Sequence, residues 1–396
     1  MIKTPLLPLL VLLMAGCTVG IGPNVSVVPN DDDSGVGADD DDTTGADDDD
    51  TTGADDDDTT AADDDDTTAA DDDDTTAADD DDTTAGDDDD TTVGDDDDTT
   101  EPPPVPVRFI AMGDTGTGDT DQYAVAAAVQ TVCAAQGCDF VLLMGDNIYD
   151  EGATSVTDPI WQDTFELPYA NITQQFYPVL GNHDGGFLGT GLDLLRGQVQ
   201  IDYTTSTTTN WTMPARYYAR TVQNVSFYAL DTSLAFFQSL PIYDSLTDDQ
   251  GAWLQGELAG SASEWKIAYA HHPYYSNGPH GNAGNYEGLP DWTPFGAAGT
   301  GVKDFLDDYV CGNVDLYLCG HDHSRQWQVN TCNGTQLIVS GGGAKRTGIE
   351  GTNPVYWQDT DDEMEGFVWI EILGNQLTAE FHNKNGGLDY TGSWTK

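Results

Sequence analysis

The sequence predicts an α/β domain over residues 105–396, with two packed β-sheets flanked by helices. Five short apolar runs, strand-like in length and in their β-branched and aromatic content, each end in a small residue followed by acid, amide or imidazole side chains. Helical stretches alternate with them, and the near-continuous apolar character of the strands argues for sheets covered on both faces. The late strands follow one another without helices, which predicts a second sheet packed on the first.

In chain order the five runs are 107–112 before Gly113-Asp114, 140–144 before Gly145-Asp146-Asn147, 176–180 before Gly181-Asn182-His183-Asp184, 265–270 before His271-His272-Pro273, and 314–319 before Gly320-His321-Asp322-His323. Further strands are expected over 225–230, 336–340, 367–373 and 377–381. Helices are expected over 122–136, rich in Ala and Val, over 159–169, over 247–258 with Thr247 as its cap, and over 302–309. Polar groups at the C-terminal ends of strands in open α/β sheets converge on one crevice, where such folds put their sites.

Before this domain, Lys3 precedes an apolar run, residues 6–14, that is too short to span a bilayer as a mature helix. Residues 1–16 read as a signal peptide, ending Leu13-Met14-Ala15-Gly16-Cys17. That ending resembles a bacterial lipoprotein processing site and would make Cys17 the lipidated first residue. An ordinary secretory signal with a chance cysteine is the alternative. Both predict export. Lipidation further predicts a cell-envelope protein, at the outer membrane or cell surface, that meets the membrane only through the lipid on Cys17. Residues 17–104 read as a disordered stalk. From Asp31 to Thr100 four aspartates, two threonines and two small residues recur with nothing apolar to bury, and the like charges repel. Glu101-Pro102-Pro103-Pro104 closes it with a stiff joint. The stalk reads as a spacer rather than a set of calcium loops, because the repeat lacks the turn glycine and distal Glu of such loops.

Of the 71 acidic residues, 35 are the aspartates between Asp31 and Asp98, and one of the 12 basic residues is Lys3. From Glu101 onward 11 basic residues therefore face 36 acidic ones, about −25. Such a surface repels nucleic acid. An anionic substrate must be held by something local and strongly positive, a first hint of metal. Export permits disulfides; Cys133 with Cys138 and Cys311 with Cys332 are candidate pairs, leaving Cys319 free.

A lone histidine or Gly-Asp pair carries little weight. Of only seven histidines, however, His183, His271, His280, His321 and His323 fall in or just after strand-end motifs. In this order the five motifs resemble the metal-binding blocks of the calcineurin-like metallophosphoesterases. Tyr149, three residues after Asp146, narrows the resemblance to the purple acid phosphatases, closest to their small, single-domain, tartrate-resistant type. It continues through Gln200-Ile201-Asp202-Tyr203, Trp211, Pro214, Tyr217-Tyr218 and Leu230-Asp231-Thr232. The segment 282–299 departs from the family pattern beside the expected cleft.

The resemblance implies a metallophosphoesterase-like sandwich and an acid phosphatase, exported by the signal peptide, that hydrolyses small phosphate monoesters by attack of a metal-bound hydroxide. It implies that Asp114, Asp146, Tyr149 and His323 hold one metal and Asp146, Asn182, His271 and His321 the other. A hard phenolate from Tyr149 suits Fe(III), with Fe, Zn or Mn as the second ion. His280 and His183 are implied to bind phosphate, and His280 to protonate the leaving group, work suited to an imidazole. His272 reads as a packing or supporting residue and His382 as structural. Asp184, Asp231 and Asp322 orient ligands or cap loops. Gly341-Gly342-Gly343 either lets backbone approach the site closely or is a turn, and Lys345 and Arg346 after it lie where an anionic substrate could be touched. The rival readings are a phosphodiesterase or nucleotidase with divalent metals, in which Tyr149 only packs, and an inactive surface-binding domain.

Overall fold

The computed structural model describes residues 104–187, 189–206, 210–360 and 365–396. The expected signal peptide, Cys17 and all of the stalk except Pro104 lie outside them. The strands are β1 (Val107–Met112), β2 (Phe140–Met144), β3 (Gln175–Val179), β4 (Tyr218–Val222), β5 (Val225–Ala229), β6 (Trp265–Tyr269), β7 (Leu316–Cys319), β8 (Arg325–Gln328), β9 (Gln336–Ser340), β10 (Val355–Gln358), β11 (Gly366–Leu373), β12 (Gln376–Asn383) and β13 (Leu388–Thr395). The helices are α1 (Thr120–Gln136), α2 (Leu194–Ser206), α3 (Thr232–Phe236), α4 (Pro241–Gly260) and α5 (Thr300–Phe305), the last continued by a turn over Leu306–Val310.

Two mixed sheets result, in the orders β13-β12-β11-β1-β2-β3 and β10-β8-β9-β7-β6-β5-β4. Strands β1, β2 and β3 are mutually parallel, as are β5, β6, β7 and β9, so all five site-bearing strands run parallel within their sheets. The sheets face one another through aromatic rings. Phe109 of β1 and Phe140 of β2 stack at 5.3 Å, and Phe227 of β5 meets them edge-on at 5.2 and 5.1 Å. Such pairs each contribute about 0.5–1.5 kcal/mol beyond the area they bury.

Three expectations need correction. The late strands do not form the second sheet by themselves: β9 lies in it, but β11 pairs with β1 in the first, with Phe109 opposite Ile370. A period-two pattern shows that a strand has an inner face without showing which neighbour it takes. Thr247 does not cap a helix. Pro241 starts α4 at its first position, and Thr247 sits inside, donating its hydroxyl to Tyr243 O at 2.7 Å. The helix expected over 159–169 is present but shorter, running over 160–166 with Gln162–Glu166 wound as a π-helix.

The strand β8 escaped sequence reading because Arg-Gln-Trp-Gln looks like a loop. All four residues are buried, and Arg325 is tolerated there by ion pairs to Asp359 at 2.7 Å and Asp389 at 2.8 Å. Both candidate disulfides form, Cys133–Cys138 and Cys311–Cys332, leaving Cys319 free and buried. Among the described residues no helix is long and apolar enough to cross a membrane.

Candidate metal centre

The loops after β1, β2, β3, β6 and β7 meet at one end of the sandwich, where backbone bonds bolt them together. Asp114 N donates to Gly145 O at 2.9 Å, Gly113 N to Ser340 O at 2.8 Å and Gly320 N to His271 O at 3.0 Å. Three residues of these loops, Asp114, Asp146 and His321, hold positive φ angles of 60°, 52° and 70°. A non-glycine residue there costs roughly 1–3 kcal/mol, strain that persists where the surroundings over-determine a functional geometry. Glycines next to these residues give the carboxylates room. A Cβ on Gly320 would lie 2.5 Å from Asp114 Oδ2, one on Gly341 2.7 Å from the same atom, and one on Gly181 would fall inside contact distance of Asp146 Oδ1. Gly341 thus takes the close-approach role. A Cβ on Gly181 would also press on the backbone N of Asp146, so Gly181→Ala is expected to displace the Asp146 loop, lowering stability and weakening metal binding about 10- to 100-fold. Elemental analysis of the purified variant checks this, and a full metal complement would contradict it.

The seven expected ligands gather into two groups. In one, the Tyr149 hydroxyl lies 3.1 Å from Asp114 Oδ1 and 3.3 Å from His323 Nε2. In the other, His271 Nε2 lies 2.8 Å from Asn182 Oδ1 and 3.1 Å from His321 Nδ1, which is itself 3.1 Å from Asn182 Oδ1. Asp146 stands between them: its Oδ1 is 3.5 Å from His271 Nε2, and one ligand atom each from Asp114, Asp146 and His271 lie within 4.8 Å of one another.

The second group has a geometry that asks for a cation. His271 Nδ1 is 2.9 Å from Met144 O, which holds the proton on that nitrogen and leaves a lone pair on Nε2. Asn182 Nδ2 donates to Gly189 O at 2.8 Å, which turns Oδ1 toward that same lone pair. Two acceptors facing each other at 2.8 Å repel unless a positive ion lies beside them. Charge tells the same story. Burial, then the charge on Asp146, pushes the Asp114 carboxyl well above its ordinary range. Burial lifts Asp146 too, but His271 and His183 outweigh it and hold the carboxyl at about 2. Burial and then neighbouring imidazoles depress His321, and burial with the charge of His280 and Lys345 brings His323 down to about 3. Neutral imidazoles and crowded carboxylates are the form that metals bind. The residues fit metal binding, with the buried Asp114, Asp146 and His271 as a cluster that could hold an ion.

Supporting residues surround them. The buried Asp184 carboxylate accepts from Asn147 N at 2.9 Å, Ile148 N at 3.0 Å and Gly181 N at 2.8 Å, tying the second motif to the third. Burial and the Asp146 charge push it up to about 7. Asp322 accepts from His280 N at 2.9 Å, whereas Asp231 serves α3, accepting from Ser233 N at 3.0 Å. His272 is buried against the Thr232 hydroxyl at 2.8 Å, as a packing residue should be. His280 stacks on His321 with ring centroids 4.2 Å apart, and the His183 ring lies 4.5 Å from that of Tyr149. Lys345 reaches the Tyr149 ring, while Arg346 turns to Thr360 O. His382 stays apart, on β12 beside Glu380. Sequence reading missed Glu287, whose carboxylate meets His280 Nδ1. A single Glu in a Gly- and Asn-rich loop gives no signal beyond its place in the segment that departs from the family pattern.

A family profile described as "Calcineurin-like phosphoesterase" matches residues 107–325. Purple acid phosphatase 3 of Arabidopsis thaliana is 30% identical over 299 residues, 70% of this chain and 74% of that protein. The chain belongs to the purple acid phosphatases, within the calcineurin-like phosphoesterase family. Human tartrate-resistant acid phosphatase type 5 is 26% identical over 311 residues, 71% of this chain and 88% of the relative. Among solved structures, the purple acid phosphatase of yellow lupin seeds superimposes with a TM-score of 0.50 at 18% identity, over 74% of this chain and 54% of that one. GAP50, the anchor in the inner membrane complex of Plasmodium, does so with 0.58 at 22%, over 73% and 89%. At those identities the likeness is one of fold. As a purple acid phosphatase the chain is a metal-binding hydrolase, and its two mixed sheets are those of the metallophosphoesterase fold.

Proposed function

We propose that this purple acid phosphatase is an exported enzyme that hydrolyses small phosphate monoesters at a centre of two metal ions, with Asp114, Asp146, Tyr149 and His323 holding one and Asp146, Asn182, His271 and His321 the other. The observation that carries the proposal is the convergence of all seven side chains on two adjoining points with Asp146 between them. When bound, the metals supply Lewis acidity toward the phosphoryl oxygens and a water of lowered pKa. The protein's residues do the rest. The strained loops hold the donors in place, so that little reorganisation is needed at the moment of reaction. His280, stacked at the rim and backed by Glu287, protonates the departing oxygen, and His183 helps to bind the phosphoryl group.

Tyr149 as an anionic oxygen donor suits Fe(III), with Fe, Zn or Mn at the second position. Export and attachment through a lipid on Cys17 rest on the residues 13–17, and the acidic stretch to residue 104 then serves as a spacer from the envelope surface. An inactive binding domain would be expected to have lost ligands, whereas every position is filled. Tyr149→Phe tests the metal assignment, since it keeps the ring and removes only the oxygen. The wild-type protein is expected to absorb visible light through phenolate-to-iron charge transfer, and the variant to lose that band. A colourless but active wild type would favour divalent metals and the phosphodiesterase or nucleotidase reading.

A further inference from the structure

We propose that Lys345 is the charged contact for the phosphoryl group in this site, a specificity residue that favours dianionic phosphate; the inference rests on the reading of the site as a phosphatase centre. Its ammonium lies 3.6 Å from the centroid of the Tyr149 ring, whose hydroxyl is 3.1 Å from Asp114 Oδ1 and 3.3 Å from His323 Nε2. The segment carrying it is pinned on both sides to the loops that bear ligands. Gly341 N donates to Ser324 O at 3.0 Å, Gly343 N to Gly113 O at 3.0 Å and Thr347 N to His323 O at 2.9 Å. Lys345 is thereby held over the centre rather than left to sweep the surface, and the aromatic face beneath its stem is a favourable seat for a cation.

The charge balance of the domain gives this position its weight. With about −25 from Glu101 onward, the surface as a whole repels the substrate. Seven of the eleven basic residues there are paired with a carboxylate. Arg220 lies over the Phe140 and Tyr177 rings, Lys266 donates to Leu258 O and Arg346 to Thr360 O. Among the described residues Lys345 alone stands over the centre, and no described carboxylate lies within ion-pair distance of it. It is only half-buried, and a Lys presents its N–H donors as a compact point charge.

The test uses the full chain loaded with metal, its Lys345→Met and Lys345→Arg variants, and inorganic phosphate as the probe. Calorimetric titration is expected to show phosphate bound about tenfold more weakly by Lys345→Met, the scale of one charge-assisted contact, with Lys345→Arg recovering most of the affinity. KM for an aryl phosphate should rise in parallel while kcat changes less, and the difference between wild type and Lys345→Met should shrink in high salt. Any phenolate band should move to longer wavelength in Lys345→Met, because a positive charge 3.6 Å from the ring centroid is gone. Equal phosphate affinity in wild type and Lys345→Met, with metal intact, overturns the proposal. Loss of metal from Lys345→Met also overturns it, since Lys345 would then be shaping the centre and not meeting the anion. A wild type that binds phosphate through Lys345 but hydrolyses no monoester overturns the phosphatase reading alone, and one that binds no phosphate overturns both.

Discussion

Asp146→Asn is expected to lower phosphatase activity by about 10³-fold or more, with metal occupancy falling at both positions rather than one. Asp146 lies beside both ligand groups, with its Oδ1 3.5 Å from His271 Nε2 and a carboxylate oxygen within 4.8 Å of one of Asp114, and two ions held close together need an anionic bridge to offset their mutual repulsion. Asparagine keeps the side-chain shape, tolerates the positive φ of 52° at this position, and can still accept from His183 N, as Asp146 Oδ1 does at 2.8 Å. The fold should therefore survive, and circular dichroism should match the wild type. Elemental analysis together with turnover of an aryl phosphate checks the result. An active variant with two metals would show that Asp146 does not bridge. His382→Ala is a useful contrast, because His382 lies on β12 beside Glu380, away from the ligands, and its loss should leave metal content unchanged.

His280→Ala is expected to separate substrates by leaving group. A positioned general acid contributes about 10²- to 10⁴-fold. Alkyl phosphates, which leave as strongly basic alkoxides, should lose turnover on that scale, whereas activated aryl phosphates should lose far less. The structure gives His280 the support such a role needs. Its backbone N–H donates to Asp322 Oδ1 at 2.9 Å, its ring stacks on His321, and the Glu287 carboxylate meets Nδ1. Wild-type activity should be bell-shaped in pH and highest on the acid side of neutrality, and the alkaline limb should flatten in the variant. Metal content should remain intact, unlike in His271→Ala, where a ligand atom 2.8 Å from Asn182 Oδ1 disappears. Equal losses on both ester classes, or metal lost from His280→Ala, would falsify the general-acid role.

Much of this site was legible in the chain before any fold was known, and for a definite reason. Ligands at the ends of parallel strands sit within a few residues of an apolar run, so their chemical type, their order and the strand they follow are local properties of the sequence. The strand-end motifs that carry Asp114, Asp146, Asn182, His271, His321 and His323 could be picked out in this way, whereas their reading as metal ligands, and that of Tyr149 above all, came from the resemblance to the metallophosphoesterases; both disulfides were legible as candidate pairs. Composition alone likewise marked the repetitive acidic segment ahead of the domain and the charge that argues against nucleic acid. What local patterns do not carry is partnership between distant segments. That β11 joins β1 and not the second sheet depends on which hydrophobic faces meet, and apolar alternation leaves that choice open. Arg325 looks like a loop residue until Asp359 and Asp389, remote in sequence, neutralise it inside β8. The meeting of Glu287 with His280, the lone pairs of His271 and Asn182 turned on one another, and the seat of Lys345 over Tyr149 are likewise products of packing. Electrostatic interactions depend on distances of a few ångströms between residues tens or hundreds of positions apart, and only the tertiary structure decides those distances.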